Sequence, residues 1–167
     1  MSSPSAGPIL KTLLFVVLVP GTVLLWVPYL TLAKDVPRPV SWVNWMALAP
    51  CGLGILILLK CAWDFAVVGL GTPAPIDPPK SLVVNGLYRF VRNPMYVGVA
   101  LVLFSEGLLF SSARLLEYAL LVGAGFFLFV VAYEEPTLRK KFGASYQAYC
   151  QAVPRWIPRL TPWSPEE

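Results

Sequence analysis

The chain has 167 residues, 57% of them hydrophobic and 13% charged, with a mean hydropathy of +0.67. A water-soluble domain carries about 25% charged and 45–50% apolar residues, so the composition excludes a soluble globular protein. The absence of histidine excludes a Ser-His-Asp triad, an imidazole base and a His-ligated metal within the chain.

The length fits one domain, and residues 1–167 are predicted to form a single all-α integral membrane bundle. The 3 cysteines cannot close a disulfide framework, and their spacing does not suit a metal site, so they are expected as buried or free thiols. The net charge of +4 comes without a clustered basic polar face, so no nucleic-acid partner is expected.

In chain order, the first apolar run is Ile9–Leu32, with Lys11 its single charge. At about 1.5 Å per residue it reaches roughly 36 Å, enough for a hydrocarbon core of about 30 Å. Pro20 and Pro28 are expected to kink it. The second run extends from Trp42 to about Leu70 and contains Lys60 and Asp64, which share a helix face and are placed to pair. The third, Met95–Phe110, contains Glu106, and the fourth is Leu115–Tyr133. Only Ser111–Arg114 separates the last two, which predicts a tight helical hairpin and about four transmembrane helices.

With four spans, nine basic residues (Lys11, Lys80, Arg89, Arg92, Arg139, Lys140, Lys141, Arg155, Arg159) fall on one side and three (Lys34, Arg38, Arg114) on the other. The positive-inside rule then places both termini, the 73–94 loop and the tail in the cytoplasm.

Two cytoplasmic segments are richer than connectors need to be. In the first, the prolines of Gly69–Lys80 stiffen the path and Asn85-Gly86 signals a turn. Tyr88, Arg89, Arg92 and Tyr96 follow at helical spacing, with Pro94 at the start of the third span. A purely structural reading of this segment is a surface helix touching lipid phosphates. The second begins where the fourth span ends, at Tyr133-Glu134-Glu135-Pro136. Paired carboxylates at a membrane boundary are costly unless partnered, though acids also suit a helix start. Leu138, Phe142, Tyr146 and Tyr149 then share a face opposite Arg139, Lys140 and Lys141, which predicts a C-terminal amphipathic interfacial helix. The tail from Val153 to Leu160 is expected to lie on or fold back against the same side.

Residues 69–160 resemble a known family in Gly71-Thr-Pro, Gly86-Leu-Tyr-Arg, Arg92-Asn-Pro-Met-Tyr-Val-Gly98, Glu134-Glu135, Phe142-Gly143, Tyr146, Tyr149 and Val153-Pro-Arg. Their order and spacing are similar to the isoprenylcysteine carboxyl methyltransferase and phospholipid methyltransferase superfamily of integral membrane enzymes. The resemblance implies S-adenosylmethionine as cofactor, lined by Asn85, Gly86, Leu87, Tyr88, Arg92, Asn93, Pro94, Met95 and Tyr96. Glu134 is implied as the acidic group on the cofactor. The residue types suit it: a carboxylate for positive charge, arginine or backbone N–H for the cofactor carboxylate, and apolar walls for the ring.

Methyl transfer depends mainly on positioning. If an acceptor proton must leave, Glu135 or Glu106 is the candidate base, and Arg92 completes the catalytic set. Glu106 has an alternative, a salt bridge to Arg92 or Arg89. Asn93 stands where many members have histidine, so no proton relay runs through it. Val130 stands where the eukaryotic isoprenylcysteine enzymes place an arginine for the substrate carboxylate. The implied acceptor is a lipophilic small molecule or a lipidated compound, isoprenylcysteine-type or lipid-like, with membrane lipids the other partners and no metal.

Gly52 with Gly54, or Gly123 with Gly125, would let helices approach within one chain or between two. Two other readings compete: an NADPH-dependent membrane reductase of the sterol-reductase type, and a non-enzymatic membrane protein. Cofactor choice discriminates among the three.

Overall fold

The structure, a computed structural model, describes residues 17–34, 41–68, 82 and 84–164. The start of the first apolar run with Lys11, Arg38, and the proline-rich segment Gly69–Lys80 lie outside the described residues. All regular structure among the described residues is helical.

Helix α1 (Val17–Leu32) widens into a π turn at Thr22–Trp26, where the Val27 N–H reaches the Thr22 carbonyl. Pro28 follows at once. It has no N–H for the carbonyl four residues back, and the wide turn absorbs that break. Helix α2 (Leu48–Val68) is entered through a 3-10 turn, Trp42–Ala47, closed by a Ser41/Asn44 capping box. The Asn44 amide also donates to the Leu108 carbonyl at 2.5 Å and to the Ser111 hydroxyl at 2.9 Å. It therefore ties the entry of α2 to the turn between α3 (Pro94–Leu109) and α4 (Ala113–Phe129). That turn is short, as expected, and Ser112 caps α4 by accepting from the Leu115 N–H at 3.3 Å.

The chain then repeats its first device. A π turn at Val130–Glu134 precedes Pro136, and the Glu135 N–H reaches back to Val130. Helix α5 (Glu135–Ala152) follows without a loop, kinked at Gly143, where φ is 54° and ψ −125°. Only glycine adopts that backbone without strain.

Helices α2 and α3 cross at Gly54 and Gly98. A Cβ on Gly54 would stand 2.7 Å from the Gly98 carbonyl oxygen, and one on Gly98 3.0 Å from the Gly54 oxygen. This close approach is internal to the chain. Gly52, Gly123 and Gly125 have nothing within 4 Å of such a Cβ. The core between the helices is Leu24, Val99, Val102, Leu103 and Ala119. A second cluster, Tyr146, Tyr149 and Val153, packs α5 against Leu82, Val84 and Trp163. The predicted apolar face of α5 is thus buried, while Arg139, Lys140 and Lys141 remain exposed. Lys60 and Asp64 form the expected i,i+4 ion pair.

Two helices, Trp42–Asp64 and Ala113–Ala152, are long and apolar enough to cross a membrane, whereas Val17–Leu32 and Pro94–Leu109 are shorter. On α4, Leu120, Leu121 and Leu128 are exposed.

The tail after α5 does not trail away. The Arg92 N–H donates to the Pro154 carbonyl at 2.9 Å, the Arg159 N–H to Phe90 at 2.9 Å and the Trp163 N–H to Arg89 at 3.0 Å. Residues 153–163 therefore run back along the segment that precedes α3.

Candidate active site

Three pieces of chain meet at one end of the bundle: the turn before α3, the π turn leading into α5, and the returning tail. The Asn85-Gly86 signal becomes a 3-10 turn, Gly86–Arg89, with Asn85 at its N-cap. Gly86 has φ +55°, and a Cβ there would come within 2.5 Å of Asp64 Oδ2. A side chain at 86 is excluded both by backbone and by space, so the turn sits directly on the Lys60–Asp64 pair of α2. Asp64 Oδ2 itself is buried without a partner.

From that turn Tyr88 points inward. Its phenol bonds with the Cys61 thiol of α2 and lies within electrostatic reach of Glu134, Tyr149 and Tyr96. Burial first, and these neighbours second, push the phenol well above its ordinary range and keep it neutral. Its carbonyl accepts from the Tyr149 hydroxyl at 2.6 Å. Leu87 and Met95 are half-buried, and Pro94 is buried at the first turn of α3, where its missing N–H costs nothing.

The two adjacent carboxylates go to different partners. Glu134 Oε2 accepts from the Tyr96 hydroxyl at 3.0 Å; among the described residues no cation pairs with it. Glu135 is 6% exposed and accepts from Arg92 Nη1 at 3.0 Å, Arg155 Nε at 2.6 Å and Arg155 Nη2 at 2.9 Å. Burial alone would raise its carboxyl. The Arg155 hydrogen bonds and the charges of Arg92, Arg155 and Arg139 outweigh that and hold it below the usual carboxylate range. The same hydrogen bonds hold Arg155 above its ordinary value.

Arg92 also donates to the Cys150 sulfur at 2.8 Å, and its Nε is buried with no partner. Asn93, buried at the N-cap of α3, donates to the Arg155 carbonyl at 3.1 Å. It is a brace for the tail.

Next to Tyr96 a lateral cleft of about 510 Å³ opens between α3 and α4, lined by Ala100, Phe104, Gly123, Phe127 and Trp156 among others. Tyr96 packs against Phe126 with ring centroids 4.6 Å apart and tilted by 35°, and stands 6.5 Å from the Trp156 ring. The cleft is apolar along its length, with the Tyr96–Glu134 pair at one end.

The structure thus gathers Asn85 to Tyr88, Arg92 to Tyr96, Glu134 and Glu135 into one region. Glu106 stands apart, ten residues beyond Tyr96 along α3, about 15 Å at the helical rise. It does not bridge to Arg92 or Arg89: Arg92 is held by Glu135, and Arg89 Nε donates to the Trp163 carbonyl at 2.7 Å. One Glu106 oxygen is buried without a partner. Residues not singled out as site residues from the sequence are Arg155, Trp156 and Cys150. A signal for Arg155 existed, since two carboxylates at a membrane boundary require counter-charge and the tail carries it. All three cysteines are free thiols, and no group of His, Cys, Asp or Glu among the described residues is arranged to hold a metal.

The phospholipid methyltransferase family profile matches residues 42–145, which include the 3-10 turn, α2 to α4 and both glutamates. Over 74 residues the chain is 32% identical to Methanethiol S-methyltransferase 2 of Bradyrhizobium diazoefficiens, a stretch covering 44% of this chain and 27% of that protein. The match thus spans about a quarter of the relative's length. No solved structure matches the chain. With the profile covering well over half of its residues, and the motifs gathered at one end of a helical bundle, the chain belongs to the phospholipid methyltransferase family.

Proposed function

We propose that this protein transfers a methyl group from S-adenosylmethionine to a lipophilic acceptor at the membrane face where the tail returns. The observation that carries the reading is the Tyr96–Glu134 pair. It is a half-buried carboxylate with a hydroxyl partner and, among the described residues, no cation, set between the 85–93 segment and an apolar cleft. Family membership and the resemblance to a methyltransferase favour this reading over a reductase or a non-enzymatic role.

The residues present fit the cofactor's chemical groups. Glu134 offers a negative charge for a sulfonium or ammonium. The orphan Nε of Arg92 offers a donor for a carboxylate. Tyr96 and Tyr88 supply aromatic walls. When bound, the cofactor supplies an electrophilic methyl carbon. The chain's own contribution is orientation: Tyr96 aims Glu134, Glu135 fixes Arg92 and Arg155, and the cleft presents an acceptor from the bilayer side. The hydrogen bonds from Arg92 and Arg155 make Glu135 a weak base, so its part is to hold the arginines. The acceptor atom follows from which compound enters.

Two further elements belong to the proposal. Four spans, formed by α1 to α4, cross the bilayer, with α5 lying at the interface. The excess of Lys and Arg around α5 and the 85–93 segment puts this face in the cytoplasm.

Calorimetric titration of S-adenosylmethionine into detergent-purified protein tests the reading. Saturable binding is expected, weakened about tenfold or more by Glu134→Gln, since a charge-assisted contact contributes about 1.5–3 kcal/mol. Unchanged affinity in that variant removes Glu134 from the site. Binding of NADPH in place of S-adenosylmethionine overturns the methyltransferase reading.

A further inference from the structure

Beyond Trp156, which lines the cleft, the returning tail carries a surface that the proposed reaction does not use. Trp156 inserts its ring between the spans, 6.5 Å from Tyr96 and stacked 6.4 Å from Phe127 at an interplanar angle of 30°. Phe127 lies seven residues before Glu134, about 10 Å deeper along the helix. It belongs to the outward-facing part of α4 that also exposes Leu120, Leu121 and Leu128. The Trp156 ring is therefore level with side chains that face the hydrocarbon core.

Immediately beyond it, Ile157 is 78% and Leu160 98% exposed. They are not on a loose end: the backbone around them is fixed to Phe90 by the Arg159 N–H and to Arg89 by the Trp163 N–H. The polar groups of the segment turn the other way. Arg155 is bound to Glu135, and Arg159 Nη1 donates to the Ala152 carbonyl at 3.3 Å. The fixed segment thus presents exposed aliphatic tips just after the Trp156 ring that stacks on Phe127 of α4, while Arg139 and Lys140 lie exposed on α5.

We infer that residues 156–160 are seated in the lipid leaflet, as a re-entrant anchor with Ile157 and Leu160 among the acyl chains. Arg139 and Lys140 stand at the level of the lipid phosphates. The occupant is lipid because the exposed tips follow directly on Trp156, whose ring stacks on the exposed apolar face of α4, and because the exposed Arg139 and Lys140 of α5 offer cations for anionic headgroups. The inference rests on the membrane spans alone and is independent of the methyl-transfer reading.

Site-directed spin labelling in lipid nanodiscs tests it. A nitroxide is placed at Leu160→Cys after the native cysteines are changed to Ala or Ser. Leu128→Cys serves as the lipid-facing control and Gln147→Cys as the water-facing one. Leu160 is almost fully exposed, so its replacement removes no packing. The label at 160 is expected to collide with dissolved oxygen and to be shielded from a water-soluble nickel chelate, as at 128. Nickel accessibility like that at 147 overturns the inference, and so does shielding from both reagents, which means that protein covers the face. If the cysteine-free chain fails to fold, a benzophenone amino acid at 160 in the otherwise native chain gives the same decision. Photo-crosslinks to phospholipid support the inference; crosslinks to protein alone, or none to lipid, overturn it.

Discussion

Glu135 is surrounded by more positive charge than it can neutralise, with Arg92 and Arg155 both donating to it and Arg139 acting on it through space. Removing such a carboxylate strands its partners. Breaking a buried pair by deleting one member typically costs about 3–5 kcal/mol, and here the survivors are two guanidinium groups, one of them with a side chain only 11% exposed. Glu135→Ala is therefore expected to destabilise the protein by about that amount. Arg155→Ala should cost less, because Glu135 keeps Arg92 and the Arg155 side chain is 31% exposed. Thermal unfolding of the two variants in detergent checks the order. Equal losses mean that Arg92 does not hold Glu135 by itself.

At the scale of elements, the bundle depends on how closely α2 and α3 approach. The Gly54–Gly98 contact leaves no room for a side chain, so Gly98→Val should push the helices apart and lower the unfolding temperature. Gly123→Ala is the contrasting case. Nothing lies within 4 Å of its Cβ, and replacing a helical glycine by alanine should be neutral or stabilising by up to about 1 kcal/mol. A loss of stability in the Gly123 variant as large as that at Gly98 shows that the contrast is wrong.

Much of this architecture is legible in the sequence, because apolar runs, charge breaks and Asn-Gly turns act locally. The short hairpin after α3 and the Lys60–Asp64 pair follow from spacing alone. What spacing does not give is which glycine meets which helix, since Gly52 and Gly54 look alike in the chain and only Gly54 faces Gly98. Nor does it give the partners of Glu134 and Glu135. On a helix two adjacent residues point about 100° apart, so the pair must divide between two neighbours. The division is made by Tyr96 and by Arg155, which is 20 residues away in the tail.

For the molecule as a whole, Glu135 is the point where α5, the segment before α3 and the tail are joined, and its titration sets how that junction responds to acid. Its carboxyl sits below the usual value in the folded state, while in the unfolded chain a glutamate titrates near about 4.3. A group whose folded pKa is lowered contributes stability that is complete above the unfolded pKa and is lost as pH falls through the folded one. The junction should therefore hold fully from neutral pH down to about 5 and weaken below about 4. Glu135→Gln lacks the titrating group, so it should start from a lower unfolding temperature near neutral pH and show a shallower acid limb. Other carboxylates titrate in the same window, and the difference between the two chains isolates this one. Unfolding temperatures of both, measured across that range in one detergent, supply the comparison. Curves that stay parallel into acid would show that protonation of Glu135 is not what loosens the tail from the bundle.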